Sequence, residues 1–268
     1  MADETGKAKR SKDSVANTLL VSIGLSLVAS VLVAGTAIAL KPVQERNEER
    51  FRQQIILDVA GLYEPGGDIG ELFGRIESRV VDLDSGEYTT DVDLEEFDAE
   101  MAAKDPGTGI DIPASDDVAS LRRRARVGPV YLVNTDGAIE QIILPVYGPG
   151  LWSTMRGFLA VDPDGNTVRG LRFYEHAETP GLGDQIDKPA WREQWVGKQI
   201  FADGDEPRIE VIKGFVDTGS QSAIHEIDGL AGATLTARGV TNLIRYWTGP
   251  NAFGPYLAKR RAEAAGDD

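Results

Sequence analysis

The sequence has 268 residues, with 43 acidic against 28 basic residues and a net charge of −15. Such an acidic chain lacks the positive surface that a phosphate backbone requires, so we expect no nucleic acid as a partner. Two histidines and no cysteine exclude a histidine-rich metal site, disulfides, thiolate catalysis and iron–sulfur clusters, and we predict no metal site.

An uncharged, mostly apolar segment extends from residue 18 to residue 40. About 20 such residues span the hydrocarbon core of a bilayer as a helix, so we predict a single transmembrane helix, preceded by a tail at 1–17. The alternative is a signal peptide with a weak cleavage site at Ala37-Ile38-Ala39, although its apolar core is usually shorter. Lysine and arginine are equally frequent on both sides of the segment, so the positive-inside rule leaves the side of the large domain open.

Region 41–128 is predicted to hold one helix and an acidic surface segment. The helix runs from Pro42 to about Leu62, because proline suits a first turn and apolar residues recur on one face. Residues 82–117 are acidic and contain several glycines and prolines. This composition favours a surface excursion with one short helix near 94–103, rather than core.

From residue 129 the pattern changes to strands. Two β-hairpins are predicted, one at 130–146 around the turn Asp136-Gly137 and one at 157–174 around the turn at 162–166. A short strand at 209–212 and a helix at about 237–247 follow, and the residues of the helix that are directed inward are Val240, Leu243, Ile244 and Trp247. This order predicts an α+β domain with a largely antiparallel twisted sheet and flanking helices at 129–260, then a C-terminal tail at 261–268.

The run from Asp228 to Thr236, DGLAGATLT, is the first candidate for a binding site. A turn of small residues that leads into a helix can bring backbone amides to a phosphate, and the hydroxyl of Thr234 would lie there. The alternative is an ordinary helix cap, with Thr236 as the capping residue. The sequence contains no G-x-G-x-x-G motif between a strand and a helix, no Walker loop and no G-x-S-x-G elbow, so we expect neither an NADH site nor a serine hydrolase.

Two glycine-rich stretches, YGPGLWSTM at 147–155 and HAETPGLG at 176–183, are further candidates, because glycine lets a backbone approach a planar ligand closely. Apolar side chains in them could cover the faces of a ring, and polar ones could bond its edge. The alternatives are Gly-Pro turns between strands, a core tryptophan and a solvated loop carboxylate. The predicted cofactor-binding residues are Thr234, Asp228, Gly232, Ala233, Thr236, Glu178, Thr179, Leu182, Gly183, Trp152 and Ser153.

The run DGLAGATLT resembles the covalent flavinylation motif of the FMN-binding domain family. In that family FMN is joined by a phosphoester to the threonine that closes Ser-Gly-Ala-Thr, which is Thr234 here, while Ala231 stands where the family usually has serine. Together with YGPGLWSTM, HAETPGLG, WVGK and NAFGPYLAK, the motif makes the chain similar to the C-type subunits of sodium-translocating NADH:quinone reductases. The resemblance extends from the apolar segment to residue 259, except over the acidic segment.

The resemblance implies an electron-transfer subunit with covalent FMN on Thr234, no catalytic residue apart from the flavin, and a place in a complex that reduces ubiquinone. It implies a single-pass protein of the bacterial inner membrane, with residues 1–17 cytoplasmic and the large domain periplasmic. The implied partners are the other membrane subunits, one of which oxidises NADH, and a flavin transferase whose recognition motif includes Asp228. We also expect Glu178 either to lie near the flavin ring and disfavour its anionic reduced form, or only to fix its loop. Two alternatives are the G-type subunit of the related ferredoxin:NAD complex and a non-catalytic anchored module that binds a small anion or a partner protein.

Overall fold

The structure is a computed structural model that describes residues 14–94 and 97–266. The chain divides into two compact units, with the boundary between Phe51 and Arg52. The first element is helix α1 (Val15–Val59), which is exposed over its apolar segment. Among the described residues it is the one helix that is long and apolar enough to cross a membrane, judged by length and composition. Most of the predicted tail at 1–17 lies outside the described residues.

Helix α1 is continuous through Pro42, so the predicted start of a second helix at this proline is wrong. The φ angle of proline suits a helix, and its ring removes only one backbone hydrogen bond, so a long helix can continue through it. The helix ends at Val59 rather than Leu62, because Gly61 adopts a left-handed φ of +72°. The Leu62 amide then donates to the carbonyl of Leu57 over 2.8 Å, which closes the C-terminus.

The remaining α-helices and β-strands among the described residues belong to the second unit, which also contains short 3-10 helices at Gly183–Asp187, Glu193–Trp195 and Gln221–His225. In chain order they are α2 (Ile69–Phe73), β1 (Ile76–Asp82), β2 (Tyr88–Thr89), α3 (Ala99–Lys104), β3 (Gly109–Asp111), β4 (Arg123–Ala125), β5 (Val127–Thr135), β6 (Ala138–Pro149), β7 (Thr154–Val161), β8 (Val168–Glu175), α4 (Pro189–Arg192), β9 (Glu210–Val211), β10 (Glu226–Ile227), α5 (Thr234–Thr248) and α6 (Gly254–Gly266). Six strands form an antiparallel sheet in the order β2-β1-β5-β6-β7-β8. The predicted α+β class is confirmed.

The sheet begins earlier in the chain than residue 129, where strands are predicted to start. Strand β1 pairs along its whole length with β5, and this pairing is remote in sequence. The acidic segment is also less superficial than expected, because Leu83 and Ala103 are buried in it. Its predicted short helix corresponds to α3, and residues 95–96 lie outside the described residues.

Both predicted hairpins are present, as β5–β6 and β7–β8. Alternate residues of these strands point to opposite faces of the sheet, and both faces are buried. On one face Ile143 and Phe158 pack in a cluster with Ile55 from the end of α1, and on the other Ile142 and Leu159 pack in a larger cluster with α5. The sheet therefore forms the middle layer of this unit, with helices on both sides.

The C-terminal part of the chain positions the candidate site. The strand expected at 209–212 is β9, which pairs in parallel with β10 outside the main sheet. The inward residues predicted for the helix at about 237–247 are confirmed. This helix is α5, and its residues Val240, Leu243, Ile244 and Trp247 are all buried. Helix α5 begins at Thr234, three residues earlier than predicted. Helix α6 extends to Gly266 and so includes most of the predicted tail at 261–268.

Candidate functional site

Thr234 is the first residue of α5 and is exposed. The preceding residue, Ala233, is buried and provides no side-chain cap, and no side chain within 14–94 or 97–266 bonds the amides of the first turn. Gly232 adopts a left-handed φ of +75°, and a Cβ added there would lie 2.9 Å from the Cδ2 atom of Leu182. A larger residue at 232 would therefore strain the turn and press on the loop opposite. The hydroxyl of Thr234 and unfilled amide groups thus share one surface, which is suited to an anion.

Asp228 fixes the start of this turn with every polar group it has. Its carboxylate accepts from the Val216 amide over 2.7 Å, its own amide donates to Gln194 Oε1 over 3.0 Å, and its carbonyl accepts from Trp191 Nε1 over 3.0 Å. These bonds tie the turn to three other residues. Asp228 is therefore a structural anchor of the turn in addition to any role in recognition by another protein.

Thr236 is not the cap of α5, so the alternative of an ordinary helix cap with Thr236 as the capping residue is excluded. It lies in the first turn of α5, is fully buried, and donates its hydroxyl to Glu178 Oε2. Glu178 is itself buried, and its other oxygen accepts from the Leu151 amide over 2.8 Å and from the Trp152 amide over 3.4 Å. One carboxylate therefore joins three segments: the helix, the loop after β8 and the loop after β6. Glu178 is therefore not a solvated loop carboxylate.

Close packing around Glu178 depends on glycine. A Cβ added at Gly183 would lie 2.8 Å from the Thr236 hydroxyl oxygen and 2.9 Å from Glu178 Oε2. A Cβ added at Gly150 would overlap Glu178 Oε1. Both glycine-rich stretches therefore use a missing side chain to admit this carboxylate.

Other predicted residues extend the same network to the surface. The indole Nε1 of Trp152 donates to the Thr179 hydroxyl over 3.0 Å, and the Ser153 hydroxyl accepts from the Ala177 amide over 2.8 Å. The Trp152 side chain is 69% exposed and Leu182 is 42% exposed, so neither is a core residue. The structure thus exposes two apolar side chains, of which Leu182 lies beside the turn that contains Thr234.

A pocket of about 650 Å³ lies against α5. Its lining includes Gly232 and Thr234 from the predicted motif, and also Lys213, Phe215 and Arg238, which sequence reasoning missed. Trp152 and Leu182 are not among the residues that line it. The position of Arg238 at the site could have been predicted from the sequence, because Arg238 follows Thr234 by four residues and so shares its helix face. The position of Lys213 could not, because only the fold brings this residue to the turn.

The described residues contain no group of three or more histidine, cysteine, aspartate or glutamate side chains that could hold a metal ion.

A sequence model of the FMN-binding domain matches residues 150–249, the stretch that contains the Glu178 network, the turn and the whole of α5. This part of the chain therefore matches the FMN-binding domain family, and it contains the start of α5 and the exposed side chains of Trp152 and Leu182.

The comparisons with whole proteins are more specific. The chain is 48% identical over 258 residues to the C-type subunit of the Na(+)-translocating NADH-quinone reductase of Pseudomonas aeruginosa, covering 94% of this chain and 99% of that protein. It is 46% identical to the corresponding protein of Yersinia pestis, covering 95% and 96%. The crystal structure of Shewanella oneidensis NqrC matches with a TM-score of 0.71 at 33% identity, over 82% of this chain and 99% of that one. The chain belongs to the NqrC family, the C-type subunits of the Na(+)-translocating NADH-quinone reductases.

Proposed function

We propose that this chain is a membrane-anchored electron-transfer subunit that carries FMN as a phosphoester on Thr234. The observation that carries the proposal is the contrast between two threonines in one helical turn. The Thr236 hydroxyl is buried and bonded to Glu178, whereas the Thr234 hydroxyl is exposed and bonds no other described residue. Of the two threonines, only Thr234 has a hydroxyl that is free to form the phosphoester with FMN.

The residues around Thr234 fit an FMN group. Gly232 and Ala233 keep bulk away from the helix start, and the amides of the first turn are available to a phosphoryl group. The adjoining pocket of about 650 Å³ is within the range of small-molecule sites, roughly 300–1,000 Å³. Trp152 and Leu182 present apolar surface to the planar part of a ligand.

FMN supplies reversible electron transfer when it is bound. The side chains of the protein hold and orient it, and an ester at Thr234 prevents its loss between turnovers. Glu178 contributes by fixing the two loops that frame the site, since both of its oxygens already accept hydrogen bonds. In this proposal no catalytic residue acts apart from the flavin.

The proposal places the chain in a sodium-translocating NADH:ubiquinone oxidoreductase of the bacterial inner membrane. Helix α1 is the single-pass anchor and the large domain is periplasmic. NADH is oxidised on another subunit, and a flavin transferase installs FMN after recognising the motif with Asp228. The names of relatives at 46–48% identity support this assignment over the G-type subunit of the ferredoxin:NAD complex and over an anchored module without redox activity.

The test uses the full-length chain, co-expressed with a flavin transferase and purified in detergent. After denaturation, wild type and Thr236→Val should retain the mass and yellow colour of one FMN, and Thr234→Val should lose both. Peptide mapping of wild type locates the ester independently of the variants. A link mapped to Thr236 would overturn the acceptor assignment. An unmodified wild-type chain, beside a known substrate domain that the same transferase does modify, would overturn the covalent attachment.

Membranes that contain the whole complex test the assignment to the reductase. NADH oxidation should be stimulated by sodium and should be lost in the Thr234→Val variant. Oxidation that is independent of sodium but dependent on Thr234 would contradict the assignment and favour the G-type alternative.

A further inference from the structure

Two cationic side chains, Lys213 and Arg238, line the same pocket as Thr234. Arg238 follows Thr234 by one helical turn, so both side chains project from one face of α5. Lys213 lies in the segment after β9, and this segment is bonded to the turn, since the Gly229 amide donates to the Gly214 carbonyl over 2.7 Å. The two cations therefore reach the pocket from independent elements.

Neither cation has a structural task in the fold. Both are exposed, and neither forms an ion pair with any described residue, although acids outnumber bases 43 to 28 in the chain. Arg245 differs, because it is bonded to Glu210 over 2.9 Å and to the Ile209 carbonyl over 2.8 Å. Since Glu210 is the only acid among the described residues that line the pocket and Arg245 neutralises it, Lys213 and Arg238 give the pocket a positive charge.

We propose that Lys213 and Arg238 bind the phosphoryl group of the flavin nucleotide at Thr234. The inference rests on the proposed function, and it adds the two residues that recognise the anion. A phosphoryl group at the Thr234 hydroxyl would otherwise face only backbone amides within a chain of net charge −15. Cationic donors on two sides offset this repulsion through charge-assisted hydrogen bonds.

The phosphoryl contribution is separable from ring binding, because riboflavin has the same ring and side chain as FMN without the phosphate. The assay uses the full-length chain, purified in detergent from cells without flavin transferase, so that Thr234 is unmodified. Binding of FMN and of riboflavin is measured in parallel by quenching of flavin fluorescence, up to about 1 mM, the weak end of the affinity scale. We expect wild type to prefer FMN by about tenfold or more, as a hydrogen bond between charged groups contributes roughly 1.5–3 kcal/mol.

The Lys213→Gln/Arg238→Gln double variant should bind both flavins with nearly equal affinity. The matched control is Arg75→Gln/Lys104→Gln, which removes the same charge from two exposed residues outside the pocket and should keep the preference for FMN. Equal affinity of wild type for the two flavins, absence of FMN binding at the highest concentration, or an unchanged preference in the pocket variant would each overturn the inference.

Failure of the inference is distinguishable from failure of the proposed function. If co-expression with the transferase still yields the Thr234 ester while the FMN preference does not depend on the cations, the attachment stands and the anion-binding role is wrong. If the preference depends on the cations but no ester forms, the pocket recognises the nucleotide and the covalent proposal is wrong.

Discussion

Glu178→Ala is the substitution that most directly tests how the site is held together. Glu178 is 4% exposed, and it accepts two well-formed hydrogen bonds, from the Leu151 amide and from the Thr236 hydroxyl. The bond from the Trp152 amide, at 3.4 Å, is too long to contribute much. Alanine removes all three acceptor contacts and leaves the two loops and the first turn of α5 without a common partner.

The two good bonds set the magnitude. A hydrogen bond to a charged group contributes about 1.5–3 kcal/mol, and the fully buried Thr236 hydroxyl would keep no charged partner. Leu151 is 42% exposed, so the bond from its amide is only partly buried and its loss costs less than that of the Thr236 bond. Loss of the buried carboxylate also removes its own desolvation cost. We therefore expect Glu178→Ala to lower the free energy of unfolding by about 2–4 kcal/mol, which corresponds to about 4–16 °C for a unit of this size.

The assay is urea or thermal unfolding of the full-length chain in detergent, followed by tryptophan fluorescence. All four tryptophans lie in the second unit, so the signal reports on the domain that holds the site. Glu178→Gln keeps one acceptor oxygen and should lose about 1 kcal/mol. Glu206→Ala is the control, because Glu206 is exposed without an ion pair to any described residue and its loss should change stability by less than about 0.5 kcal/mol. If Glu178→Ala were as mild as this control, the carboxylate would not hold the three segments together.

Two further predictions use the same unfolding assay. Gly183→Ala places a methyl group 2.8 Å from the Thr236 hydroxyl oxygen, so we expect a loss of about 1–3 kcal/mol from overpacking. Gly219→Ala is its control, since the nearest atom would be 3.4 Å away, and equal stability of the two variants would contradict the packing argument. Burial raises the pKa of the Tyr246 hydroxyl to about 12, above its usual value of 10. The unfolded chain then releases this proton first, so Tyr246 should lower the free energy of unfolding by up to about 3 kcal/mol between about pH 10 and pH 12. Burial also raises the pKa of Tyr147, Tyr174 and Tyr256, which add to the decline of the wild-type protein. Tyr246→Phe should remove only the share of the decline that is due to Tyr246, and a slope equal to that of wild type would refute the assignment to Tyr246.

The parts of the fold that were predictable from sequence depend on local patterns. The β5–β6 hairpin is indicated by Asp136-Gly137 between two apolar runs, and the inward face of α5 by the spacing of its apolar residues. Strand β1 was missed because its partner, β5, lies far along the chain and no turn between them indicates the pairing. The prediction that a new helix begins at Pro42 is wrong, because a long helix tolerates the one backbone hydrogen bond that proline removes.

The site divides in a similar way. The motif that contains Thr234 is contiguous, so its small residues and the following helix could be recognised together. The state of Glu178 depends on partners that are 27 and 58 residues away, which is why the sequence left open whether it faces a ligand or only fixes its loop. Lys213 is outside every motif, and only the packing of its segment against the turn brings it to the pocket. The assignment of the predicted residues to FMN stays a prediction.

The Glu178–Thr236 bond has a consequence for Thr234 that follows from helix geometry. Successive side chains on an α-helix are rotated by about 100° around its axis. Side chains two positions apart are therefore rotated by about 200° and lie on nearly opposite faces of the helix. When Thr236 is directed inward to Glu178, Thr234 must therefore be directed away from it, to the face that carries Arg238 and borders the pocket. The early start of α5 at Thr234 is what places both threonines under this constraint. A buried carboxylate that touches neither the pocket nor the Thr234 side chain thus sets the direction in which the acceptor hydroxyl is presented.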